Sequence, residues 1–190
     1  MALDYNFPGW IFEEEMRWLE HICRLAPTGY DQLEIGPFAG RSTQVLAEVN
    51  TSTNIYCIDP WPAYTKDEDL PHGGRSTLLG RKFRPQDIFK IFQKDIQQRY
   101  KNVQAIQGTF PENKGNLKNL GLIFVEIDPT LELFEAAWNL LIPGGIFTGR
   151  LFCMQFPDIV ETTRALSNIK KSWIHQPPGT SLFYLQKEYK

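Results

Sequence analysis

LEIGPFAGRST, residues Leu33 to Thr43, reads as an apolar strand ending in an acid, then a Gly-x-x-x-Gly turn, then the start of a helix. That order brings a small polar ligand close to bare backbone at the tip of a parallel sheet. Gly36 and Gly40 can take backbone angles that other residues resist, and neither has a Cβ to hold a ligand away. The helix beginning near Arg41 points unpaired N–H groups and the positive end of its dipole at the turn, which suits a carboxylate. The dinucleotide fingerprint Gly-x-Gly-x-x-Gly is excluded by spacing. Any tight strand-to-helix turn can carry Gly-x-x-x-Gly, so the segments around it must decide.

Working outward, short apolar runs alternate with amphipathic ones. Residues 12–25 place Trp18, Leu19, Ile22 and Cys23 at helical spacing, behind Glu13, Glu14 and Glu15 in the first turn. Strands are expected at 32–35, 54–58, 103–106, 122–127 and 146–152, and two more in the closing stretch SWIHQPPGTSLFYLQK, joined by a Pro-Gly turn. LIFVEI, residues 122–127, is the most hydrophobic and belongs at the centre, covered on both faces. Helices are expected over 42–49, 85–100, 131–141 and 159–167. This alternation predicts an α/β, Rossmann-like, doubly wound and mostly parallel seven-stranded sheet, with one antiparallel strand near the C-terminus.

At 190 residues the chain is expected to form a single domain, 1–190, with residues 62–84 as a lid or substrate-cap insertion too long for an ordinary connection. The formal net charge is −2 with both signs interspersed, which argues against nucleic acid as a partner. Cys23, Cys57 and Cys153 are odd in number, widely spaced and in apolar contexts, as in a reduced cytoplasmic protein. The first residues lack the pattern of a signal peptide, and no apolar run is long enough to span a membrane, so no membrane partner is expected. A homo-oligomer is compatible with the chain.

In doubly wound sheets, ligands bind beyond the carboxyl ends of the strands. Four such ends carry polar or small residues: Glu34 to Gly36, Asp59-Pro60, Gln107 to Thr109, and Glu126 to Asp128. An acid after the second strand suits a ribose diol, because one carboxylate accepts from two hydroxyls. Taken singly, each acid also reads as a helix cap or a solvated loop residue.

With these segments in place, the chain resembles the class I S-adenosylmethionine-dependent methyltransferases over about residues 10 to 188. LEIGPFAGRST resembles their first motif and NIYCIDPW the second-strand motif; QAIQGTFPEN is similar to the segment that edges the adenine. LIFVEIDPT resembles the fourth-strand motif, and AAWNLLIPGGIF the helix, Pro-Gly-Gly turn and fifth strand. More narrowly, the set is similar to small-molecule O-methyltransferases. The resemblance implies S-adenosylmethionine as cofactor. Glu34 would lie toward its amino group, Gly36, Phe38 and Gly40 in the loop beneath it, and Ser42 near its carboxylate. Asp59 would bind the ribose, Trp61 cover the sugar or adenine, and Gln107, Gly108 and Thr109 border the adenine. Glu126 and Ile127 would line the sulfonium side.

Metal-dependent members of this class carry an acidic cluster after the fourth strand and an acidic pair after the fifth. Here only Glu126 and Asp128 remain at the first position, and Arg150-Leu151 stands at the second. A hard cation needs several oxygen ligands, so no metal site is expected. Asp128 is the best placed acid for proton removal, although it equally suits an N-cap. His72, in LPHGGRS, is a candidate base on a mobile lid, or a solvent-exposed loop residue. The expected activity is methylation of a small-molecule acceptor, at oxygen, without a catalytic metal. The alternative is a non-catalytic binding or partner subunit that keeps the fold and the cofactor site.

Overall fold

Apolar strands without a polar face build the centre of the sheet. β6 (Leu120–Val125) is buried at all six positions and β1 (Gln32–Ile35) at all four. A computed structural model describes residues 3–4, 7–64, 77–78, 81–82 and 84–189. Its main sheet also contains β2 (Ile55–Asp59), β5 (Val103–Gln107), β7 (Leu141–Gly149) and β8 (Phe183–Gln186), in the order β5-β2-β1-β6-β7-β8. Every pairing is parallel except that of β7 with β8. A short hairpin of β3 (Thr77–Leu78) and β4 (Arg81–Lys82) stands apart.

Alternating side chains sort the core onto the two sheet faces. Ile55, Cys57, Leu122 and Phe124 pack against α1 (Glu13–Leu25), α2 (Arg41–Val49) and α3 (Ile88–Phe92). Leu33, Ile35, Ile123 and Phe147 pack against α4 (Leu131–Leu140) and α5 (Pro157–Lys170). The expected helix over 85–100 is divided: a 3₁₀ turn at Pro85–Asp87 precedes α3, and a π-helical stretch, Gln93–Gln97, follows it. Ile88, Phe92 and Ile96 still share one buried face.

The sheet has six strands where seven were expected. Of the two closing segments only Phe183–Gln186 forms a strand; the other contributes a single bridge, His175 to Tyr184. Pro177 and Pro178 follow after Gln176 and have no N–H to extend the ladder. The strand order reverses at β1 and β6, so the crevice at their carboxyl ends is the place for a ligand.

Phe147 is fully buried on β7, with ring centroids 4.9 Å from Phe134 and 6.1 Å from Phe183. Phe147→Ala should cost about 3–5 kcal/mol in chemical denaturation. A loss below about 1 kcal/mol would contradict this placement of the core.

Candidate functional site

Glu34 lies on the sheet face that meets α2 and is completely buried. Its carboxylate accepts from the Ser42 hydroxyl and, at 2.6 Å, from the Thr43 hydroxyl. Burial pushes its pKa up to about 7 against the pull of these hydroxyls, with Glu126 adding to the rise. Glu34 and Ser42 therefore meet, and their bond ties the first turn of α2 to β1.

Gly36 has φ +86°, and its N–H donates to the Ile58 carbonyl at 3.0 Å. A Cβ there would lie 2.5 Å from Ile127 Cγ2 and 2.6 Å from the Glu126 carbonyl oxygen. Only glycine lets β1 turn this close to the end of β6. Gly40, at φ +102°, leads directly into α2.

Phe38 takes a left-handed conformation, φ +51°, and its N–H donates to Asp59 Oδ2 at 2.9 Å. Its carbonyl accepts from Trp61 Nε1 at 2.7 Å, so Phe38, Asp59 and Trp61 form one unit. Trp61 is buried between Phe89 and Phe92, each 4.8 Å away between ring centroids. Asp59 is 1 % exposed, and its Oδ1 has no hydrogen-bond partner among the described residues. Burial pushes its pKa up to about 7, opposed by the Phe38 N–H and the Tyr64 hydroxyl. Beside it, the Gly108 N–H donates to the Asp59 carbonyl at 3.0 Å, with Gln107 and Thr109 exposed on either side. The Thr109 N–H and hydroxyl are held by Asn113 and Glu112.

Glu126 and Ile127 follow β6 directly beside Gly36. Asp128 is exposed, and the helix cap belongs to Thr130, whose hydroxyl accepts from the Leu133 N–H at 3.1 Å. His72, like most of the candidate lid 62–84, lies outside the described residues. Among the described residues no cluster of three or more His, Cys, Asp or Glu could hold a metal.

Three further residues belong to the site, and of these the sequence marked only Arg150, as the residue standing where a metal-site acid would fall. Arg150 follows β7, is 6 % exposed, and forms ion pairs with Glu126 and, at 2.9 Å, with Glu15. Arg41 is also buried; its Nη1 donates to the Phe7 carbonyl at 2.8 Å. Glu15 carries a signal of its own in the sequence: it lies four and seven residues before Leu19 and Ile22, on the apolar face of α1. A charge there needs a buried partner.

A cleft of about 860 Å³ opens over this network, lined by Trp10, Phe12, Arg150, Leu151, Phe156 and Thr180 among others. A small void of about 10 Å³ lies beside it, bounded by Gly36, Pro37, Ser42 and Glu126. The two share Gly9, Trp10, Ile11 and Arg41, and the Trp10 ring sits 4.3 Å from that of Phe38.

Residues 33–149 match the family model of a methyltransferase domain. No curated protein matches the sequence. Solved structures share the fold. An S-adenosylmethionine-dependent O-methyltransferase from Thermotoga maritima superposes with a TM-score of 0.66 at 12% identity, over 96% of this chain and 68% of its own. An O-methyltransferase from Bacillus cereus, solved in complex with S-adenosylhomocysteine, gives 0.63 at 14%, over 96% and 85%. A tRNA (m1A58) methyltransferase from Aquifex aeolicus gives 0.63 at 13%, over 95% and 71%. At these identities the likeness concerns the fold, and the acceptor must be argued from the cleft.

The buried acids make stability depend on pH. Asp59 binds its proton more tightly folded than unfolded, so its contribution is full below about pH 4 and is lost as pH rises through about 7. Glu34 acts in the same direction. Between pH 4 and pH 8 the wild type should lose on the order of 3 kcal/mol more than Asp59→Asn in chemical denaturation. Parallel stability curves would remove Asp59 as a source of the dependence.

Proposed function

The chain belongs to the methyltransferase-domain family, and on that premise we propose that it transfers a methyl group from S-adenosylmethionine to a hydroxyl oxygen of a small molecule, without a catalytic metal. The observation that carries the cofactor reading is Asp59: a buried carboxylate at the end of β2, with Oδ1 lacking any partner among the described residues. A ribose hydroxyl is the kind of donor that would satisfy it. The Gly36–Gly40 turn supports the amino-acid end, where Ser42 and the start of α2 offer donors to a carboxylate. Gln107 to Thr109, exposed beside Asp59, would border the base.

When bound, S-adenosylmethionine supplies a methyl group on a positively charged sulfur, a strong electrophile. The protein's work is alignment, exclusion of water and removal of a proton. The cleft has the volume of a small-molecule site. Its lining mixes aromatic and aliphatic side chains with Glu13, Glu14, Arg41 and Arg150, which suits an acceptor with an apolar body and polar groups, and it adjoins the void beneath Gly36. A metal-free reaction is supported by Arg150, which already occupies the Glu126 carboxylate that a divalent ion would need.

Calorimetric titration with S-adenosylhomocysteine tests the reading. Binding should be micromolar and indifferent to magnesium, and Asp59→Ala should weaken it about 100-fold. Because the diol favours the ionised carboxylate, affinity should rise with pH up to about 7 and then level, with proton release at lower pH. Absence of binding would favour a non-catalytic subunit that keeps only the fold.

A further inference from the structure

Arg41 is a buried cation without a carboxylate of its own. It opens α2 and is 5 % exposed; Nε donates to the Met16 sulfur at 3.4 Å and Nη1 to the Phe7 carbonyl at 2.8 Å. No ion pair among the described residues includes it. Asp4 and Glu13, both exposed, act on it from beyond ion-pair distance, and Glu13 is already paired with Arg17 at 2.7 Å. Arg150 lines the same cleft and repels Arg41. The Nε and Nη1 of Arg150 belong to Glu15 and Glu126. In both arginines Nη2 has no hydrogen-bond partner among the described residues. Two buried guanidiniums that repel each other, one of them lacking a counter-charge, are costly to the fold. An anion between them relieves the repulsion and takes up the open donors.

The surroundings decide where that anion lies and what it is. Arg41 borders both the small void and the large cleft, whereas Arg150 borders only the cleft, so an anion that meets both stands on the cleft side. The cofactor's own carboxylate, assigned above to Ser42 and the start of α2, belongs to the void. Trp10, Ile11, Leu151 and Phe156 give the cleft an apolar wall, and Glu13 and Glu14 are exposed on its lining. The cations are therefore the deep part of the cleft and the acids the outer part. Those outer carboxylates repel a polyanion, which disfavours a phosphorylated acceptor. A single carboxylate matches the planar fork of a guanidinium.

Resting on the methyl-transfer reading, we propose that the acceptor is a hydroxylated monocarboxylic acid with an apolar body, and that Arg41, joined by Nη2 of Arg150, binds its carboxylate. The carboxylate is a handle and stays unmethylated; a hydroxyl elsewhere on the body takes the methyl group. A purely structural role for Arg41, holding the 7–11 segment on α2, uses Nη1 but has no need of a charge facing the cleft.

The test uses the full chain with dihydroxybenzoate and hydroxycinnamate as acceptors, each compared with its own neutral amide. S-adenosylhomocysteine binding is the independent readout. Wild type should prefer each acid over its amide by about 30-fold in kcat/KM, chiefly through KM, and the product should be the methyl ether. Arg41→Gln should bring that preference close to one while binding S-adenosylhomocysteine within about threefold of wild type. Arg41→Lys, which keeps the charge but loses the fork, should retain part of it. In the presence of S-adenosylhomocysteine, each acid should raise the melting temperature of wild type but not of Arg41→Gln.

Equal use of acid and amide by wild type overturns the proposal, as does an acid preference that survives in Arg41→Gln. Collapse of S-adenosylhomocysteine binding in Arg41→Gln also overturns it, assigning Arg41 to the cofactor's carboxylate. A methyl ester as product overturns the handle role. Wild type that binds S-adenosylhomocysteine but neither binds nor methylates either acid overturns the acceptor class and leaves the methyl-transfer reading standing. Wild type that fails to bind S-adenosylhomocysteine overturns that reading, and the acceptor class falls with it.

Discussion

The buried carboxylate of Glu34 is the constraint on which the site depends. An isolated ionised carboxylate in a protein interior costs several kcal/mol, and among the described residues the compensation comes from the Ser42 and Thr43 hydroxyls and a distant Cys57 thiol. Those hydroxyls belong to the first turn of α2, so satisfying Glu34 fixes where α2 begins. The intervening residues must then cross from β1 to α2 in one short path. Gly36 and Gly40 make that path sterically accessible, the first against Ile127 and the second against Ile96. The turn's shape thus follows from an acid it conceals, not from a ligand it exposes.

The same loop is pinned from its other side. Phe38 accepts strained left-handed geometry because both its polar backbone groups are taken, the N–H by Asp59 and the carbonyl by Trp61. Asp59 Oδ2 thereby holds the loop, while Oδ1 has no hydrogen-bond partner among the described residues. With Glu34 and Asp59 both pushed up to about 7, protonation and loop order are coupled at the two ends of this turn.

What the sequence discloses follows the range of the interactions. The parallel sheet and the helices on its faces were legible because burial imposes periods of two and 3.6 residues locally. Gly36, Asp59 and Glu126 were legible as strand ends because that topology always delivers strand ends to one rim. The first closing segment, SWIHQ, differs from the expected strand because Pro177 and Pro178 end the ladder after one bridge. Asp128 and Thr130 compete for one cap, and only geometry shows Thr130 winning. Glu15 and Arg150 were out of reach as a pair, since 135 residues separate them and each has a plausible local role. Arg150 was visible as an obstacle to a metal, but nothing local revealed that its partners were carboxylates from two different elements.

That pair also shows how distant parts of the chain are locked at one rim of the sheet. Arg150, directly after β7, carries two carboxylates, Glu15 from α1 and Glu126 from the end of β6. Glu15 in turn accepts from the Phe12 N–H and from the N–H and hydroxyl of Ser181, so one buried guanidinium ties the start of α1 to the carboxyl ends of β6 and β7. Removing any one of the three charges leaves its partners buried without compensation, so the cluster stands or falls as a unit.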